Sequence, residues 1–300
     1  MKKILVPTDF SDTAMKAITY AAEIAERNGA VIYLLHVMEP IIDGIRQPHP
    51  LHEKLLEEIT NNRLSELKSL EECIAESYPE LKIVAEFTNG TVINSIHDYA
   101  IEQSIDLIIM GTSGASGLKE IFMGSVAAGT IGRTRIPVLA IPREYLMEAP
   151  HTILLATNHF EESEDLLNPI VELASLFSAT IHVAVFIDAD EARSPDYLYN
   201  TRQLNYYVDV LSKMYPGTAF KGELLEGSKF EETIEKYDER NEVDIIAMIT
   251  YPKSLWKKIM RKSRTKKMAF HSAIPLLAIP ATIVENILKD ADPPVEMPHS

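Results

Sequence analysis

Short, almost wholly apolar runs alternate along the chain with longer stretches in which apolar residues recur every three or four positions. Lys3–Pro7, Val31–Val37, Lys82–Phe87, Asp106–Met110 and Val138–Ile141 read as strands. The central runs are too uniformly apolar for a sheet with one wet face. Helices are expected over Asp12–Asn28, over a long segment where Leu56, Ile59, Leu67, Leu70 and Ile74 share one face, over Val92–Gln103 and over Ser125–Arg133. Ser11 is a suitable N-cap for the first helix, and Gly29 closes it. Strands alternating with helices predict an α/β fold with a parallel sheet covered on both faces.

The pattern occurs twice. Ile136-Pro-Val-Leu-Ala-Ile-Pro142 returns as Ile274-Pro-Leu-Leu-Ala-Ile-Pro280, and Ile105-Asp-Leu-Ile-Ile-Met110 as Val243-Asp-Ile-Ile-Ala-Met248. Ile4–Asp9 corresponds to Ile153–Asn158, and Ala30–Val37 to Ala179–Phe186. Four matches in one order indicate a tandem duplication. The expected domains are 1–145 and 150–282. A tail, 283–300, is acidic and proline-rich at its end and is expected to be disordered. Pro169 predicts a kink or a late start in the first helix of the second half.

Composition narrows the function. The 300 residues are 46% hydrophobic and carry a formal charge of −15. Nucleic acid and anionic membrane are therefore poor partners for the chain as a whole. Lys253–Lys267 reverses that average with eight cations and no acid, and a solvated face is favoured there over an anion site. No run is long enough to span a bilayer, Met1–Asp9 is no signal-peptide core, and a lone Cys73 forms no internal disulfide. A reducing cytoplasm is the expected setting.

Chemistry concentrates after the fourth strand, where Gly111-Thr-Ser-Gly114 is followed, after nine intervening residues, by Gly124-Ser125. Glycines behind a strand let the backbone turn tightly and approach a ligand. A Gly-Ser pair opening a helix offers N–H groups, a hydroxyl and the positive end of the helix dipole to an anion. The pattern predicts a phosphate cradle at the C-terminal edge of the sheet, facing Pro7, Thr8, Asp9 and Val37 at other strand ends. Asp9 suits a ribose, a base or a metal-bound water, a reading favoured over capping of the helix after it, since Ser11 competes for that cap. Val37 offers backbone groups and an apolar wall to a purine.

These residues resemble the universal stress protein family, in its tandem-domain form. The G-x2-G-x9-G-[ST] signature of the ATP-binding branch is matched by Gly111, Gly114, Gly124 and Ser125. The opening Pro-Thr-Asp is matched by Pro7, Thr8 and Asp9, and the His-Val strand end by His36 and Val37. The resemblance implies two tandem Rossmann-like (adenine nucleotide alpha hydrolase-like) domains, each with an open five-stranded parallel sheet. It implies adenine near Asp9 and Val37, ribose near Pro7 and Gly111, and phosphates over Gly114, Gly124, Ser125 and Val126. The resemblance also implies a pocket lined by Met110 and a Mg²⁺ ion bridging the phosphates. It further implies an intrachain pseudo-dimer through Val138–Ile141 and Leu276–Ile279, with further homo-dimerisation left open.

The second half departs from the signature. Ile249, Pro252 and Lys262 replace the three glycines, while Ser263 survives. Ala156, Asn158 and Phe186 stand for Pro7, Asp9 and Val37. That half is expected to be a structural partner that binds no ATP in the family's manner. His36 is expected to be buried and hydrogen-bonded, and His97, His159, His182 and His271 show no metal spacing. No catalytic lysine follows Gly124-Ser125. Cys73, beside Glu71 and Glu72, is not expected to be reactive. The favoured reading is a stress-related binding protein with one ATP in its first half, acting on an unidentified protein partner. A slow Mg-dependent ATPase and a structural module that binds no nucleotide stay open.

Overall fold

The computed structural model describes residues 1–40, 50–112, 123–146, 148–157, 159–188, 195–251 and 274–281. Gly114, Asn158, Pro252, Lys262, Ser263, the basic stretch 253–267 and the tail 283–300 lie outside the described residues. The chain divides into two compact units, one built mainly from Met1–Thr134 and Val138–Met147, the other from Glu148–Phe270 and Leu276–Ser300.

In the first unit the elements run β1 (Lys3–Pro7), α1 (Asp12–Asn28), β2 (Val31–Met38), α2 (Pro50–Ser77), β3 (Lys82–Asn89), α3 (Val92–Glu102), β4 (Leu107–Gly111), α4 (Ser125–Arg133) and β5 (Val138–Ile141). The strands lie in the order β3-β2-β1-β4-β5. Their pairs are all parallel. Ile4, Leu5, Val6, Ile108 and Ile109 have no exposed surface. Sealing such side chains is worth roughly 1.5–3 kcal/mol each and fixes the register. α1 begins where Ser11 Oγ accepts the Ala14 N–H at 3.2 Å. It ends at Gly29, whose φ of 69° suits glycine.

In the second unit the elements are β6 (Thr152–Ala156), α5 (Glu164–Phe177), β7 (Thr180–Asp188), α6 (Pro195–Met214), β8 (Phe220–Gly227), α7 (Phe230–Asn241), β9 (Ile245–Thr250) and β10 (Leu276–Pro280). The order β8-β7-β6-β9-β10 repeats that of the first unit. Its pairs are also parallel.

The repeated aspartate has a structural duty. Asp106 Oδ2 accepts the Lys2 and Lys3 N–H groups at 2.6 and 3.0 Å. Asp244 Oδ2 accepts those of His151 and Thr152 at 2.7 and 2.8 Å. Each carboxylate ties down the start of its unit's first strand, so Asp106 precedes β4 instead of belonging to it. β2 and β3 run further than the sequence pattern predicts, because they pair with each other up to Met38↔Asn89.

Candidate functional site

In both units the first strand has the second on one side and the fourth on the other, so the chain reverses direction across the sheet between β1 and β4 and between β6 and β9. Crevices at such switch points, beyond the C-terminal strand ends, are where open α/β sheets bind ligands. The two units treat this point differently.

In the first unit β1 and β4 are paired only at Ile4↔Leu107 and Leu5↔Ile108. Thr8 N–H donates to Leu35 O of β2 at 2.9 Å. Backbone groups alternate sides along a strand, so the Pro7 nitrogen faces β4, and it has no hydrogen to donate. The ladder stops there. In the second unit Thr157 N–H likewise donates to Ala184 O of β7. Ala156 then faces β9 with an N–H, and β6–β9 pairing continues to Ala156↔Met248.

Beyond the end of this pairing lies a cleft of about 380 Å³. Pro7, Thr8 and Asp9 line it from the end of β1, Leu35 and Val37 from β2, and Met110, Gly111 and Thr112 from β4. Ser11 and Ala14 of α1, Val92 of α3, and Gly124 to Ala127 complete the wall. Nine of the ten site residues expected from sequence thus meet in one cleft, and the tenth, Gly114, lies outside the described residues. Leu35, Thr112, Val92, Ala127, Ala14 and Ser11 were not foreseen as site residues, Ser11 having been read only as a helix cap. Thr112 and Ala127 flank motif residues and were within reach of the pattern, whereas nothing local marks Val92.

The glycines serve different ends than tight turning. Neither Gly111 nor Gly124 has a left-handed backbone. A Cβ on Gly111 would lie 2.7 Å from Thr13 Cγ2 and 3.1 Å from the Thr13 carbonyl carbon. Gly111 is therefore what lets the first turn of α1 press against β4. Gly124 precedes α4 and contributes no side-chain cap. Its N–H donates to Thr112 O, and Ala128 N–H to Gly124 O at 3.0 Å. The N–H groups of Ser125, Val126 and Ala127 precede the first intrahelical bond, at the positive end of the helix, in residues that line the cleft.

The β1–α1 corner is bonded throughout. Thr8 Oγ1 accepts Phe10 N–H at 3.1 Å, and Asp9 Oδ1 accepts Ser11 N–H at 3.1 Å. Asp9 thus shares the helix start with Ser11 while lining the cleft. His36, 8% exposed, is buried and hydrogen-bonded through Nδ1 to Thr8 O at 2.8 Å.

Where the first unit has Gly111, the second has buried Ile249. Seven residues separate β6 from α5, against four between β1 and α1. α5 therefore starts late, one of the two outcomes expected from Pro169, which nevertheless lies inside the helix. The longer loop is held from other elements. Tyr207 of α6 donates to the Glu161 carbonyl, and Tyr251, just after β9, donates to the Glu161 carboxylate. Burial, followed by the charge of Glu161, pushes the Tyr207 hydroxyl upward from its ordinary pKa. The His159 ring meets Tyr251 edge-on at 5.0 Å.

Among the described residues no group of three His, Cys, Asp or Glu side chains forms a metal site, and no helix is long and apolar enough to cross a membrane.

The universal stress protein family model matches residues 1–142. One universal stress protein of Methanocaldococcus jannaschii is 32% identical over 142 residues, covering 47% of this chain and 82% of the relative. A second from that organism is 30% identical over 155 residues, covering 48% and 96%. A universal stress protein structure from Archaeoglobus fulgidus covers 93% of this chain and 98% of its own at 17% identity, with a TM-score of 0.72. At that identity the likeness concerns the fold, which extends over both units.

Proposed function

The chain belongs to the universal stress protein family, and we propose that its first unit binds one adenine nucleotide, ATP in the favoured reading, as a regulatory ligand. The observation that carries this reading is the cleft itself, which joins an apolar slot to an unsatisfied helix start. Leu35, Val37, Val92 and Met110 supply a wall suited to a purine, with Asp9 beside it as an acceptor for an amino group or a ribose hydroxyl. Pro7 and Gly111 flank the space for the ribose. Gly124, Ser125 and Val126 bring helix N–H groups and a hydroxyl to the phosphates.

Binding without efficient turnover follows from the chemistry of the wall. Among the described lining residues Asp9 is the one charged side chain. Among those described residues there is no lysine or arginine to stabilise charge on a transferring phosphoryl group. A Mg²⁺ ion carried by the nucleotide fits such a wall, held chiefly by phosphate oxygens, and its role is to neutralise phosphate charge. Occupancy, rather than hydrolysis, is then the signal to a protein partner. Slow Mg-dependent hydrolysis is the second reading, and it rests on Asp9 as the acid within reach of a water.

Calorimetric titration with Mg-ATP, AMP and adenosine tests the proposal. One site per chain is expected, with adenosine weaker than ATP. Absence of heat with all three would contradict it. Turnover lost in Asp9→Ala with binding retained would favour the hydrolytic reading.

A further inference from the structure

Phe10 has a φ of 63°. Left-handed backbone is uncommon for a bulky aromatic side chain and persists where surrounding contacts over-determine it. Those contacts come from two distant elements, β2 and α2, with β3 packed behind the first. The His36 ring of β2 lies 4.6 Å from the Phe10 ring, and Phe87 of β3 lies 5.8 Å behind His36, each pair tilted by 38°. On Phe10 also sits the Arg63 guanidinium of α2, 5.7 Å from the ring centre and paired with Glu66 at 2.6 Å. Because a carbonyl can only accept, the 2.8 Å contact between His36 Nδ1 and Thr8 O puts the proton on Nδ1. His36 thus grips both sides of Asp9, the preceding carbonyl by a hydrogen bond and the following ring by stacking. It is not itself part of the cleft wall.

We propose that His36, assisted by Arg63, is a positioning residue that sets the Thr8–Asp9–Phe10 corner so that Asp9 meets the base and ribose of a bound nucleotide. The proposal rests on the nucleotide reading of the cleft for its ligand, and on the corner's geometry for its mechanism. It commits Asp9 to the nucleoside end, so disturbing His36 weakens adenosine and ATP by the same factor. A disturbance at α4 weakens ATP alone.

The test compares wild type with His36→Phe, which keeps an aromatic ring and loses the donor, and His36→Asn, which replaces Nδ1–H with an amide N–H at a similar place. Calorimetry with adenosine and Mg-ATP gives affinities, and amide NMR of Asp9, Phe10 and Ser11 reads the corner without ligand. His36→Phe is expected to weaken both ligands about tenfold, the scale of one lost hydrogen bond, and to shift the three amides. His36→Asn is expected to remain within about threefold of wild type on that scale. Equal affinities for wild type and His36→Phe, or equal losses in both variants, would overturn the proposal. If wild type binds neither ligand, the nucleotide reading fails by itself. The amide shifts then decide the positioning claim, since an unmoved corner in His36→Phe overturns it. Should His36→Phe fail to fold, Arg63→Met on the exposed face of α2 takes its place, with an expected loss of about two- to fivefold for both ligands. Unchanged affinity and unmoved amides there would overturn the proposal.

Discussion

A Cβ on Gly111 would lie 2.7 Å from Cγ2 of Thr13, so the end of β4 and the first turn of α1 fit together only while position 111 has no side chain. The Thr13 backbone is part of the obstacle, which a rotamer change cannot remove. Gly111→Ala is therefore expected to lower stability by about 1–3 kcal/mol, as overpacking does, and to weaken nucleotide binding by displacing the α1 start. Urea unfolding of wild type and variant checks the first part. A stability within 0.5 kcal/mol of wild type, the size of roughly neutral surface changes, would show that α1 yields freely.

The contrast between Pro7 and Ala156 is also open to test. Ala156→Pro removes the N–H that faces β9 and is expected to cost about 1–3 kcal/mol, the penalty for leaving a buried acceptor unpaired. Amide exchange at the C-terminal end of β9 should rise in the variant. Unchanged exchange there would mean that the ladder does not depend on that donor.

His182 gives the second unit a pH dependence of known sign. Its Nδ1 stands 2.8 Å from the Tyr237 hydroxyl. Burial lowers its pKa from 6.5, Lys221 lowers it further, and Glu223 opposes them. The unfolded chain therefore takes up a proton before the folded one does. This contribution is intact above about pH 6.5 and is lost as pH falls from there toward the lower folded value. Unfolding free energies measured from pH 8 to pH 5 should decline more steeply for wild type than for His182→Gln. Parallel curves would contradict the assignment.

Ser125→Glu places a carboxylate at the helix start assigned to phosphate. Like-charge repulsion should weaken Mg-ATP by about 100-fold or more, roughly 2.7 kcal/mol, while adenosine changes by less than about threefold. Competitive titration of the two ligands measures this difference. Equal losses would place the phosphates elsewhere.

Local pattern carried much of this structure. Strand and helix alternation, the duplication, the Ser11 cap and Gly29 were legible because each depends on near neighbours in sequence. That nine of the expected residues would share one cleft was legible because strand ends in a parallel sheet converge on one edge. Contacts between distant residues left no such trace. Arg63 reaches Phe10 across 53 positions, and the left-handed Phe10 follows no local preference. Gly111 was read as a ligand-facing glycine, but its tightest constraint is Thr13 of α1. Tyr251 and Glu161, 90 residues apart, meet because a long loop and a strand end share one edge.

The most direct measurement of the central claim is to denature protein purified without added nucleotide and identify any released small molecule by chromatography and mass spectrometry, with Gly114→Val as control. About one adenine nucleotide per chain from wild type, and none from the variant, is the expected result. An empty wild type that also gives no heat with Mg-ATP would contradict the account and leave the glycine loop a structural feature.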